Sequence, residues 1–291
     1  MGHNNPVAQF TDEYGISIHY FEWKVDAPRG VVQIAHGLGE HAGRYAELAA
    51  ALNSAGYSVY ADDHRGHGET GLAQYGGDLS RIGHPGKGGL RAIIKGLRQL
   101  SAIIRSENPG LPLTFLGHSL GSLMAQKLIN EHSNDYDALV LTGTAYRTPG
   151  SMFAGDLAKS HRPIDSATGK RGGTGFEWMT RDETEQAKAA ADPLIVEASA
   201  LKLFSIPDGL RLFGVPSRDV RVDLPILIMI GEDDVLGGEK SVTKLAASYR
   251  EKAGVKDVEV VVFKGDRHEI FNELDRIEVY ARLVRWLDSH L

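Results

Sequence analysis

PLTFLGHSLGSLMAQKLIN, residues 112–130, reads as strand, tight turn and helix in one short stretch. An apolar run at 113–116 ends in Gly117, Ser119 follows two residues later, and a helical apolar pattern at Leu120, Leu123, Met124 and Leu128 begins at once. In a G-x-S-x-G turn placed this way the serine takes a strained backbone conformation that lifts its hydroxyl above the carboxyl edge of a sheet, while the flanking glycines let strand and helix pass closely. The pentapeptide alone is weak evidence in a chain with 34 glycines. Its setting between a strand and a helix does the discriminating.

Upstream of this stretch, apolar residues at 90, 93, 94, 97, 100, 103 and 104 form one helical stripe that Asn108-Pro109-Gly110 ends. Before it, residues 57–61 form a short strand running into DDHRGHGET (62–70), whose polar and turn residues read as a loop. Residues 31–35 form another strand, which ends in His36-Gly37-Leu38-Gly39. Tyr45, Leu48, Ala49 and Leu52 then share a helical face with Gly56 at its C-cap. Residues 16–25 alternate loosely and are expected to pair antiparallel with 31–35 or to lie beside them.

Downstream, 138–141 is a further buried strand. Between 147 and 214 the rhythm stops, and this segment is read as an inserted, mostly helical cap on a core formed by 1–146 and 215–291. The rhythm resumes with strands at 225–230 and 258–263, a helix near 240–249, and a closing helix with Leu274, Ile277, Tyr280, Ala281, Val284 and Leu287 on one face. Helices alternating with strands that are continuously apolar predict an α/β fold: a mostly parallel sheet covered on both faces.

Length and composition fit one large α/β domain with an insertion: 291 residues, 42% apolar and 24% charged. A net charge of −6 without a basic stripe argues against nucleic acid as a partner. There are no cysteines, so disulfides, thiolate metal sites and a cysteine nucleophile are excluded together. No apolar run approaches a membrane span, and MGHNNPVAQF lacks the regions of a secretory signal, so a cytoplasmic location is expected.

A serine hydroxyl needs a general base, and a histidine serves only when an acceptor holds the right tautomer. The last two strands each run into a loop that supplies candidates: Gly231-Glu232-Asp233-Asp234 and Lys264-Gly265-Asp266-Arg267-His268-Glu269. In a parallel sheet with right-handed crossovers these loops emerge on the edge where Ser119 lies. The chain order is Ser, Asp, His. His64 and His67, beside Asp62 and Asp63, are a conceivable metal set, but no metal is expected there.

HGLGEHAGRY (36–45), DDHRGHGET (62–70), NPGLPLTFLGHSLGS (108–122), GEDDV (231–235) and GDRHE (265–269) together resemble the monoacylglycerol lipase and lysophospholipase group of α/β-hydrolases, in the family's order. In the cap only FEWMTRD (176–182) and DPL (192–194) look familiar. The resemblance implies the α/β-hydrolase fold and a cofactor-independent serine esterase with Ser119 as nucleophile, His268 as base and Asp234, rather than Asp233 or Asp266, as the acid. It also implies an oxyanion hole made by the backbone N–H groups of Leu38 and Leu120. Glu40, His41 and Arg44 lie beside that turn and would either hold the loop or meet a polar head group.

The activity implied is hydrolysis of carboxylic esters with an apolar acyl chain, monoacylglycerols or lysophospholipids. A short-chain esterase, a thioesterase, an amidase or peptidase, and a ligand-binding protein without turnover stand as alternatives, because the fold does not select the substrate. The partner expected is a small ester or lipid. Cap residues Met152, Phe153, Leu157, Phe176, Trp178 and Met179 could make a transient membrane contact, although apolar cap residues more often face the pocket or the core. The oligomeric state stays open.

Overall fold

The computed structural model describes residues 7–152, 161, 172–197 and 203–291. Eight strands form one sheet: β1 (Val7–Thr11), β2 (Ser17–Trp23), β3 (Gly30–Ala35), β4 (Tyr57–Asp62), β5 (Leu113–His118), β6 (Ala138–Thr142), β7 (Ile226–Gly231) and β8 (Val258–Phe263). Their spatial order is β1-β2-β4-β3-β5-β6-β7-β8. β1, β2 and β4 pair antiparallel, and all pairs from β4 to β8 are parallel.

The helices are α1 (Ala46–Ser54), α2 (Gly68–Gln74), α3 (Gly89–Glu107), α4 (Leu120–His132), α5 (Glu183–Ala191), α6 (Ile206–Arg211), α7 (Gly238–Glu251) and α8 (Arg276–His290). The strand period of two divides the sheet into two apolar faces. Val31, Leu139 and Ile226 pack with α3, α4 and α7 through Leu97, Leu128 and Leu245. Their neighbours Val32, Val140 and Leu227 pack with α1 and α8 through Leu52 and Leu283. Burial on both faces is why these strands read as continuous apolar runs.

Three readings of the sequence need correction. β2 does not pair with β3: the β3-α1-β4 crossover sets β4 between them, and β2 pairs instead with β4 and with β1, which periodicity missed. The stretch 62–70 is not all loop, since α2 begins at Gly68. Its glycines hid the helix from propensity, but the Asp63 carboxylate accepts the Glu69 N–H at 2.8 Å and starts it from outside. In the last helix Val279, Tyr280, Leu283, Trp286 and Leu287 are the buried face, whereas Leu274 and Ile277 are 63% and 66% exposed.

Between β6 and β7 the chain leaves the sheet, and α5 and α6 occur there. Phe153 and Leu157 of the expected cap lie outside the described residues, as do parts of 169–175 and 201–206. No helix of the described residues is long and apolar enough to cross a membrane.

Candidate active site

The carboxyl ends of β3, β5, β7 and β8 converge on one edge of the sheet, and each carries a piece of the site. Ser119 follows β5 with φ 50° and ψ −119°, a conformation that costs a non-glycine residue roughly 1–3 kcal/mol and persists only where its surroundings over-determine it. Here the constraint is visible. A Cβ on Gly121 would stand 2.0 Å from the Ala35 carbonyl oxygen, so α4 can leave the turn this close to β3 only through glycine. The Ser119 N–H is fixed on the Thr142 carbonyl at 3.0 Å.

His268 lies in the loop after β8 and is almost wholly buried. Its Nε2 is 2.9 Å from Ser119 Oγ and its Nδ1 is 2.9 Å from Asp234 Oδ1. Asp234 is buried and accepts a second hydrogen bond on the same oxygen, from the Leu236 N–H at 2.8 Å. Burial disfavours the imidazolium of His268, but the Asp234 carboxylate, with Glu269 and Glu40 behind it, outweighs burial and holds the pKa above the ordinary 6.5. Asp233 is exposed, and Asp266 faces away onto Arg181. Of the three acids offered by the sequence, the one brought to His268 is Asp234.

The N–H groups of Leu38 and Leu120 have no hydrogen-bond partner among the described residues. The peptide that carries the Leu38 N–H is gripped at its carbonyl end, where His36 Nδ1 donates to the Gly37 oxygen at 2.7 Å, while His36 Nε2 accepts the His64 N–H at 3.0 Å. His64 stacks on His36 with ring centroids 3.7 Å apart. It contacts Asp62 Oδ2 through Nδ1 at 2.8 Å and the His36 carbonyl through Nε2 at 3.2 Å, so both ring nitrogens face acceptors. Burial opposes the charged form of His64, yet Asp62 raises its pKa; His36, buried beside that charge, is pushed well below its ordinary value. His64 thus braces the turn after β3, whereas, among the described residues, the His67 ring bonds only the Arg65 carbonyl of its own loop, at 3.0 Å.

Glu40, His41 and Arg44 are all engaged within the protein. Glu40 Oε1 accepts from the Gly37 N–H at 2.6 Å and from Tyr45 Oη at 2.9 Å, and Arg44 bonds both Glu40 and Glu269. His41 Nε2 is 2.9 Å from Asp192 Oδ2, which ties the turn to the DPL segment. The Val196 N–H reaches the Gly39 carbonyl at 2.9 Å, where a Cβ on Gly39 would strike the Val196 oxygen at 2.4 Å.

Among the described residues, two groups bring three acidic or histidine ligands together: Glu40, His118 and Glu269, and Asp266, Glu273 and Asp275. In the first, Arg44 bonds both carboxylates; in the second, Arg181 bonds all three. A guanidinium therefore already sits where a cation would be held. The set 62–67 does not converge.

Sequence reasoning missed the part that 176–182 plays. The Trp178 ring lies 5.0 Å from that of His268, the Glu269 N–H donates to the Met179 carbonyl at 2.7 Å, and Arg267 Nη1 donates to the Glu177 carbonyl at 2.6 Å. Trp178 and Met179 are buried against the histidine loop and so cannot form a surface for lipid. Glu269 was also overlooked, because nothing local marks a carboxylate whose partner, Arg44, is 225 residues away.

The sheet order and the strand-turn-helix at Ser119, with loops after β7 and β8 closing over it, define an α/β-hydrolase. The chain belongs to the family described as serine aminopeptidase, S33, whose model matches residues 26–275, and within it to the monoacylglycerol lipase group. It is 30% identical to a monoacylglycerol lipase of Mycolicibacterium smegmatis over 95% of each chain. It is 27% identical to the human monoglyceride lipase over 92% of this chain and 85% of that protein. Among solved structures, a thermostable carboxyl esterase from Bacillus coagulans superposes with a TM-score of 0.80 at 25% identity, covering 99% of both chains.

Proposed function

We propose that the protein is a serine hydrolase of carboxylic esters with an apolar acyl chain, monoacylglycerols or lysophospholipids, acting through an acyl-enzyme. The observation that carries this reading is the continuous run from Ser119 Oγ through His268 to Asp234, at 2.9 Å in each step, beside two backbone N–H groups without a partner among the described residues. Ser119 Oγ attacks the ester carbonyl and passes its proton to His268 Nε2. The oxyanion rests on the Leu38 and Leu120 N–H groups, and His268 returns the proton to the leaving alkoxide. Water, deprotonated by His268, then attacks the acyl-enzyme and releases the acid. Asp234 holds His268 with Nδ1 protonated and offsets the charge it acquires.

The lipid part of the reading draws on the relatives named as monoacylglycerol and monoglyceride lipases, and the name of the family is the reason to weigh a peptidase. An aminopeptidase must meet a substrate ammonium with a free acid. Among the described residues, the two carboxylates behind the site, Glu40 and Glu269, are both bonded to Arg44.

The same proposal assigns 147–214 to a cap inserted in the core, and a transient membrane contact to it. Ile206 and Leu210, one turn apart on α6, are 79% and 65% exposed, and Phe213 just beyond its end is 37% exposed; these support that contact better than the residues singled out from sequence.

The test is kcat/KM across esters from acetyl to palmitoyl, with an aminoacyl anilide beside them. A walled apolar pocket adds up to about 0.8 kcal/mol per buried methylene, so specificity is expected to climb with chain length and then level off. A profile flat or falling beyond butyryl, or faster turnover of the anilide, would reject the lipase reading.

A further inference from the structure

Two loops must keep register for the proposed chemistry: the turn that offers the Leu38 N–H and the loop that carries His268. They come from opposite ends of the sequence, and a single buried chain of charged groups joins them. Gly37, one residue before Leu38, donates its N–H to Glu40 Oε1 at 2.6 Å. Glu40 Oε2 accepts Arg44 Nη1 at 2.8 Å. Arg44 then forks onto Glu269, Nη1 to Oε1 at 2.6 Å and Nη2 to Oε2 at 2.7 Å. Glu269 is the residue after His268, and Asn272 Nδ2 steadies it at 2.9 Å.

We propose that Glu269 is a positioning residue: through Arg44 and Glu40 it locks the oxyanion turn and the histidine loop into one rigid unit. The inference rests on the esterase reading of Ser119 and His268.

Three features favour this over a purely structural ion pair or a head-group contact. Both Nη atoms of Arg44 are committed, and its side chain is only 10% exposed, so it is poorly placed to greet a substrate. A bidentate guanidinium–carboxylate pair fixes angle as well as distance, which a single bond does not. The fork also lies behind the site: Glu40, Glu269 and His118 bring ligand atoms within 4.8 Å of one another, and the His118 ring is 4.9 Å from that of His268. The charged and titratable groups around His268 are thus Asp234, Glu269, Glu40, His118 and, bonded to both glutamates, Arg44, with Trp178 the aromatic face on it. Arg44 neutralises one of the two carboxylates behind the histidine and leaves one negative charge facing it.

Glu269→Gln and Arg44→Lys separate the possibilities, each measured for thermal stability, kcat, KM and the pH profile of kcat/KM with a medium-chain p-nitrophenyl ester. Glu269→Gln loses the fork and one negative charge. A misplacement on the ångström scale costs up to about 10²-fold, so kcat is expected to fall roughly 10- to 100-fold, with KM within about threefold of wild type. The acid limb of the profile should also move to lower pH, because the imidazolium has lost a stabilising carboxylate. Arg44→Lys keeps the charge but cannot fork, so kcat should fall while the limb stays in place.

Wild-type kcat with an unmoved limb in a folded Glu269→Gln protein would overturn the inference. So would an effect confined to KM, which would return Arg44 to a head-group role. If Glu269→Gln fails to fold, undiminished kcat in Arg44→Lys overturns it by itself. Failure of the wild-type protein to hydrolyse esters or to react with a fluorophosphonate would instead defeat the reading of Ser119, and the positioning role with it.

Discussion

Asp234→Asn tests the site most directly, and the structure indicates how large the effect should be. Asp234 is 5% exposed, so water screens little of its interaction with the imidazolium that the proposed mechanism forms on His268. With the two charge centres about 4 Å apart and an effective dielectric constant near 20, that interaction is worth about 4 kcal/mol. Losing it corresponds to about 10³-fold in kcat. The tautomer decides whether more is lost. The Leu236 N–H donates to the same oxygen that meets His268, at 2.8 Å, and so favours an asparagine with its carbonyl in that place and Nδ1 still protonated. The charge term then stands almost alone. A flipped amide would set its NH₂ against the Leu236 N–H and impose the wrong tautomer, for a loss of about 10⁴-fold. The assay is kcat on a p-nitrophenyl ester, with Asp233→Asn as the control, since that carboxylate is exposed. Asp234→Asn retaining more than a tenth of wild-type kcat, or a larger loss in Asp233→Asn, would refute the assignment.

Ser119→Ala should remove ester hydrolysis by roughly 10³-fold or more, together with fluorophosphonate labelling, while leaving the melting temperature near wild type; persistent labelling would point to another nucleophile. The pH profile of kcat/KM follows from His268, which must be neutral if it is the base of the proposed mechanism. Burial opposes its charged form, but Asp234 and the carboxylates behind it raise the pKa, so activity should decline as pH falls through a value above 6.5; an acid limb centred below 6.5 would contradict this. Chelators should leave turnover unchanged if backbone N–H groups carry the oxyanion, and loss of activity that added metal restores would reject that route.

What the sequence determined by itself is whatever is written in local periodicity and turn chemistry. The 113–118 strand breaking at Gly117 into a helix at Leu120 was legible because strand period, glycine turn and helical period follow one another without a gap. The α3 stripe was legible for the same reason, and the parallel sheet followed from continuous apolar strands alternating with helices. That the loops after β7 and β8 share an edge with Ser119 came from the handedness of the crossovers.

Tertiary structure decided whatever depends on contacts between distant segments. Periodicity carries no strand order, so only the folded sheet shows β4 between β2 and β3. Leu274 and Ile277 are apolar at nearly the right spacing, and only packing shows that they meet water. Local pattern left Asp233, Asp234 and Asp266 level, and the sequence reached Asp234 only through the family resemblance; which carboxylate meets Nδ1 of His268 is a matter of a few ångströms of backbone that the fold supplies. The fork between Arg44 and Glu269 and the Trp178 ring against His268 join loops from far-apart segments. Their partners meet only once the sheet has brought the ends of β3 and β8 to one edge, so no local pattern could have announced them.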